Sequence, residues 1–131
     1  MKVIGWGALF LVGVFVLIAV MSSFAVSSRS DAISFAKDAI SSMLKDPGSA
    51  KFDSVHFNQL IKEKDHVAGY VCGYVNGKNS FGGYVGSTRF LVLTDVTNKG
   101  KAGKSIGAMI DSDDNFIARE AFQKRWEENC H

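Results

Sequence analysis

The residues able to do chemistry in this chain of 131 residues are few, and their spacing assembles no recognisable centre. His56, His66 and His131 lie in no sequence that marks a serine or cysteine nucleophile. Asp111, Asp113 and Asn115 match the first three ligand positions of a calcium loop. The glycine that should follow is Phe116, and the closing glutamate is Phe122. A turn feeding a helix start accounts for the same acids, because carboxylates there favour the helix dipole. Gly100, Lys101, Ala102, Gly103, Lys104 and Ser105 look like the end of a phosphate-binding loop. The first glycine of that pattern is replaced by Asn98, and the segment from Ile106 to Ile110 is too short for the helix it requires. Cys72, Cys130 and His131 offer three metal ligands without a fourth and without a known spacing. No carboxylate pair is placed as a glycosidase pair would be. The expectation is a non-enzyme with no catalytic residues, no cofactor, no metal and no nucleotide.

The two cysteines take their meaning from the N-terminus. From Val3 to Met21 no residue is polar or charged. At helical rise this run is roughly 28 Å long, enough to cross a bilayer core. Lys2 precedes it, and Arg29 is soon followed by Asp31, so the positive-inside rule places the short N-terminus in the cytoplasm. The reading is an inner-membrane anchor and tether over residues 1–29, with residues 3–26 in contact with the membrane. An exported domain over residues 30–131 follows. A cleaved signal peptide is the rival, since Ser23 and Ala25 fit a small-x-small cut after Ala25. Either way the domain is periplasmic. In an oxidising compartment an even pair of cysteines is read as a disulfide. Cys72 and Cys130 are 58 residues apart, and closing such a loop contributes on the order of 4 kcal/mol by the chain-entropy argument.

Charge limits the partners further. There are 15 basic and 13 acidic side chains, and one of the basic ones is Lys2. The exported part is therefore nearly neutral, which argues against nucleic acid. The lone basic cluster, Lys99, Lys101 and Lys104, reads as a solvated hairpin tip.

The elements that must position these groups follow from periodicity. Ser30 is suited to cap a helix over 31–45, with Ile33, Ala36, Ile40, Met43 and Leu44 as its apolar stripe. Asp46, Pro47 and Gly48 end it. Alternation predicts strands over 51–58 and 66–75, separated by a charged connection. In the second strand Val67, Val71 and Val75 share a face with Gly69 and Gly73, while Ala68, Tyr70, Cys72 and Tyr74 share the other. Glycines on one face allow close approach by a helix or an aromatic ring. Asn76 to Gly83 is predicted to be a structured hairpin loop, with strands over 84–94 and 105–110 and a loop over 95–104 between them. Phe116 to Asn129 closes the chain as a helix carrying Ala118, Phe122 and Trp126 on one stripe, with Cys130 on the same side. The fold class is α+β: a helix, a four-stranded antiparallel meander and a helix, tied by the disulfide.

Within this frame the hairpin loop is the candidate binding site. Asn76, Lys78, Asn79, Ser80, Phe81 and Tyr84 combine hydrogen-bonding groups with aromatic surface, on a loop held by a scaffold. The same residues have a structural reading. Asn76, Asn79 and Ser80 can satisfy the turn's own backbone, while Phe81 and Tyr84 fold back on the sheet.

Two stretches also resemble a known family. One is Asp46, Pro47, Gly48, Ser49, Ala50, Lys51 and Phe52. The other runs from Val71 and Cys72 through Asn76, Lys78, Asn79, Ser80 and Phe81 to Gly82, Gly83 and Tyr84. Together, over about residues 40–92, they resemble small bacterial and prophage envelope proteins with an N-terminal signal or anchor and one exported domain. That resemblance brings no catalytic residues. The anchored architecture is also similar to that of phage superinfection-exclusion proteins of the inner membrane, which block injection of another phage's DNA. The resemblance implies a membrane-anchored protein-interaction domain whose partner is another envelope or phage protein. A binding module for an envelope ligand is the alternative.

Overall fold

The computed structural model describes residues 29–64, 66–97, 102–112 and 115–131. The predicted membrane anchor lies outside the described residues. Among those described, no helix is long and apolar enough to cross a membrane.

Helix α1 occupies residues 29–43. Ser30 is already inside it, so it is not the predicted N-cap. The chain bends at Leu44, makes a 3-10 turn over Pro47–Ser49, and enters strand β1, Lys51–Glu63. Strands β2 (His66–Asn76), β3 (Thr88–Thr97) and β4 (Ala102–Ile110) follow, then helix α2, Phe116–Asn129. The strands form one antiparallel sheet in the order β1-β2-β3-β4, the predicted meander.

A helix covers each face of this sheet. Val67, Val71 and Val75 of β2 join Phe90, Val92 and Val96 of β3 and Ala32, Ala36 and Ile40 of α1 in one core. On the other face Cys72 and Leu91 bury Phe122, flanked by Tyr70, Met109, Trp126 and Cys130. The period-2 pattern of β2 therefore assigns its two faces as the sequence implied. Small residues at Ala32 and Ala36 let α1 lie near the sheet. Ser105 ties it down by donating from its hydroxyl to the Phe35 carbonyl (3.1 Å).

Gly69 and Gly73 admit something other than a helix. A Cβ at Gly69 would collide with the Asn58 carbonyl and the Phe57 ring, and one at Gly73 with Val55. Both contacts come from β1, whose register slips between Asp53 and His56 and again between Gln59 and Ile61. Ser54, at the first slip, has φ 52°, a left-handed conformation that such bulges accommodate. The bulged backbone presses towards β2, and glycine makes the room.

Helix α1 runs over 29–43 rather than 31–45, and several strand boundaries also differ from the sequence reading. β1 continues through Glu63, so residues 59–63, expected as connection, pair with β2. β3 begins at Thr88 rather than Tyr84, which lengthens the β2–β3 loop to residues 77–87. β3 and β4 also run further into the expected 95–104 loop, to Thr97 and from Ala102.

The disulfide joins Cys72 to Cys130, with Cα atoms 5.8 Å apart. It fixes the end of α2 to the middle of β2. Asn58 reinforces that attachment by donating from its side-chain amide to the Asn129 carbonyl (2.5 Å).

Candidate interaction surface

The β2–β3 loop is built by its own asparagines. Asn76 Oδ1 accepts from the Gly86 amide (3.1 Å) and closes the base of the loop. Asn79 organises the tip. Its Oδ1 accepts from the amides of Phe81 (3.0 Å) and Gly83 (3.1 Å), and its own amide donates to the Gly83 carbonyl (2.8 Å). A side-chain oxygen satisfying amides two and four residues on is the usual means by which asparagine stabilises a tight turn. Gly82 and Gly86 take φ of 79° and 105°, a region that a Cβ disfavours. Asn76 and Asn79, both predicted as binding residues, are thus internal supports of the loop.

Ser49 supplies the external support. Its hydroxyl donates to the Asp46 carbonyl (2.7 Å) and accepts from the Lys78 amide (2.8 Å). Its carbonyl accepts from the Tyr84 hydroxyl (3.0 Å). Tyr84 therefore folds back, not onto the sheet but onto the 3-10 turn. The Lys51 ammonium lies 4.3 Å from its ring centroid, and the Lys78 ammonium 5.6 Å, both within cation–π range. The two stretches that carry the family resemblance thus meet in space: Ser49 and Lys51 from one hold Lys78 and Tyr84 from the other. Sequence reasoning had no reason to pair Ser49 with the loop. The only signal was its place in the quoted motif.

What remains free is the apex. Phe81 is 97% exposed and Val85 68%, and Ser80 is exposed between fixed neighbours. A phenylalanine held out by a braced loop is unusual, since large aromatic side chains normally bury most of their surface. Lys51 and Lys78 both lie over Tyr84, which bridges to Lys78 across the loop. Among the described residues no carboxylate forms an ion pair with either.

The other chemistry-bearing residues have structural roles. Cys72 and Cys130 are bonded to each other, which removes them as metal ligands or nucleophiles. His66 Nε2 lies 2.6 Å from an Asp95 carboxylate oxygen. His56 Nδ1 lies 3.2 Å from the Ser54 carbonyl, at the bulge. Ser105 sits in β4 and bonds α1, so the phosphate-loop-like stretch runs into a strand. Of the calcium-like set, Asn115 caps α2 by accepting from the Ile117 amide (2.9 Å). Asp111 pairs with Arg89 (2.7 Å), and Asp113 lies outside the described residues. Among the described residues no three His, Cys, Asp or Glu side chains gather as a metal site would need.

Arg89, unremarked in the sequence, is the main polar tie of α2. It donates to Asp111 and to Gln123 Oε1 (2.9 Å), and its guanidinium covers Phe122 and Trp126 at 5.3 and 5.2 Å. A planar, permanently charged group suits this double duty of forked bonding and ring stacking. Set against family models, curated proteins and solved structures, the chain matches none.

Proposed function

We propose that the domain is a protein-interaction module held at the periplasmic face of the inner membrane, and that loop 77–87 is its contact surface. The observation that carries this reading is Phe81, 97% exposed at the tip of a loop braced by Asn76, Asn79 and Ser49. Preorganisation of this kind lowers the entropy lost on binding, and exposed aromatic anchors are the residues that dominate interface energies.

The chain's direction supports the arrangement. Arg29 at the near end of α1 donates towards the Phe57 carbonyl (3.5 Å), and Leu44 beyond its far end lies against Gly77. Residues 29–43 make a helix about 22 Å long. The described chain thus enters at one end of α1, and the loop begins near the other.

The resemblance to anchored phage-exclusion proteins gives the most concrete version: the partner belongs to an incoming phage's DNA-injection apparatus. Expression of the full chain should then lower infection by a susceptible phage at the injection step while adsorption stays normal. The Phe81→Ser variant should restore infection. Unchanged infection across a broad phage panel would remove the exclusion version. The binding-module alternative would survive that result.

A further inference from the structure

We propose that the partner of loop 77–87 is an acidic protein segment, one that sets a carboxylate against Lys51 and Lys78 and an apolar pocket over Phe81. This rests on the reading of the loop as an interaction surface and adds the chemistry of its occupant.

The argument begins with Tyr84. Its ring is fixed by the hydroxyl's bond to the Ser49 carbonyl (3.0 Å). Two ammonium groups from different elements, Lys51 of β1 and Lys78 of the loop, both approach that one ring, at 4.3 and 5.6 Å. Each is attracted by the ring's electron density, but two positive charges so gathered repel one another. His66 lies against Glu63 and Asp95 and Arg89 against Asp111, and among the described residues no carboxylate pairs with Lys51 or Lys78. Asp46 and Asp53, the acids nearest in sequence to Lys51, pair with neither lysine.

Both cations are therefore held over one ring, with no carboxylate partner among the described residues. Lys78 is positioned by its backbone, through the Ser49 hydroxyl (2.8 Å). Lys51 is positioned by its pairing with Asn76 at the start of the ladder. An anionic group placed between them relieves the repulsion and gains two charge-assisted bonds. Phe81, three residues after Lys78 in the same loop and exposed, adds an apolar contact that a small inorganic anion would leave in water. Charge complementarity with an apolar neighbour is the pattern of a protein contact.

The test uses the full chain in uncharged detergent, panned against a random peptide library. The inference expects enriched peptides to carry Asp or Glu beside a large apolar residue. One synthetic winner should bind about tenfold or more weakly to the Lys51→Ala/Lys78→Ala double variant, and its binding to the unaltered chain should weaken as salt is raised. Phe81→Ser should abolish its binding. Thermal unfolding confirms that each variant is folded. Enrichment without acids, or binding indifferent to both lysines, overturns the inference. If Phe81→Ser is damaging while the lysine variant is silent, the contact surface stands and its acidic partner falls. If neither matters, both fall. Lysine-dependent binding to phosphatidylglycerol vesicles with no peptide enrichment would assign the site to lipid and overturn the inference as well.

Discussion

The Ser49 hydroxyl and carbonyl make three bonds at once, and two of them reach a loop that begins 28 residues later. Removing its hydroxyl leaves the Lys78 amide without its acceptor in a half-buried position. Ser49→Ala should therefore lower unfolding free energy by about 1–2 kcal/mol, measurable by urea denaturation with an unchanged m-value. Asn79 and Phe81 are two residues apart in the same loop and should behave in opposite ways. Asn79→Ala loses two bonds at the tip, so the amides of Phe81 and Gly83 should exchange with solvent faster while global stability barely moves. Phe81→Ser removes a side chain that touches solvent, so stability should stay within roughly 0.5 kcal/mol and any effect should appear in binding alone. The sequence made these residues candidates as a group. It could not divide them, because whether an asparagine faces its own backbone or a ligand depends on loop geometry that composition does not encode.

At the scale of elements the two helices are held unequally. Among the described residues, ten buried side chains form the core that α1 shares, against three on the α2 face. Helix α2 relies instead on the Cys72–Cys130 bond, the Asn58 amide and the Arg89 network. Reduction, or a Cys72→Ser/Cys130→Ser variant, should cost on the order of 4 kcal/mol. Its first effect should be on α2, whose amides should exchange rapidly while those of β2 and α1 stay protected. Simultaneous loss of protection everywhere would contradict this division. The same elements differ in how openly the sequence announced them. Strand β2 was legible because its alternation is unbroken, and α2 because Asn115 caps it and Cys130 follows it. The extension of β1 to Glu63 was hidden: Gln59, Lys62 and Glu63 are polar, and the slip at Leu60 breaks the alternation. Residues Tyr84 to Ser87 read as strand from aromatic and β-branched content. The positive φ of Gly86 and the pull of Tyr84 towards Ser49, 35 residues away, take them out of the ladder.

The described domain is a sheet between two helices, and among the described residues its most exposed aromatic side chain, Phe81, stands on the β2–β3 loop. The proposal adds a membrane anchor where the chain enters α1. If the apolar run from Val3 to Met21 is that anchor, the full-length protein should sediment with the inner membrane. It should resist carbonate extraction and keep its N-terminal residues by mass spectrometry. Release into the periplasm with Val26 as first residue would replace the anchor with a cleaved signal and leave the loop argument intact. The central claim, that the loop and not another face meets a partner, is tested most directly by photo-crosslinking in living cells. A benzoyl-phenylalanine placed at Phe81 should give a discrete crosslinked band with another protein, lost on the Lys51→Ala/Lys78→Ala background. The same group at Leu60, exposed on β1, should give none. No band from Phe81, or equal bands from both positions, would contradict the account.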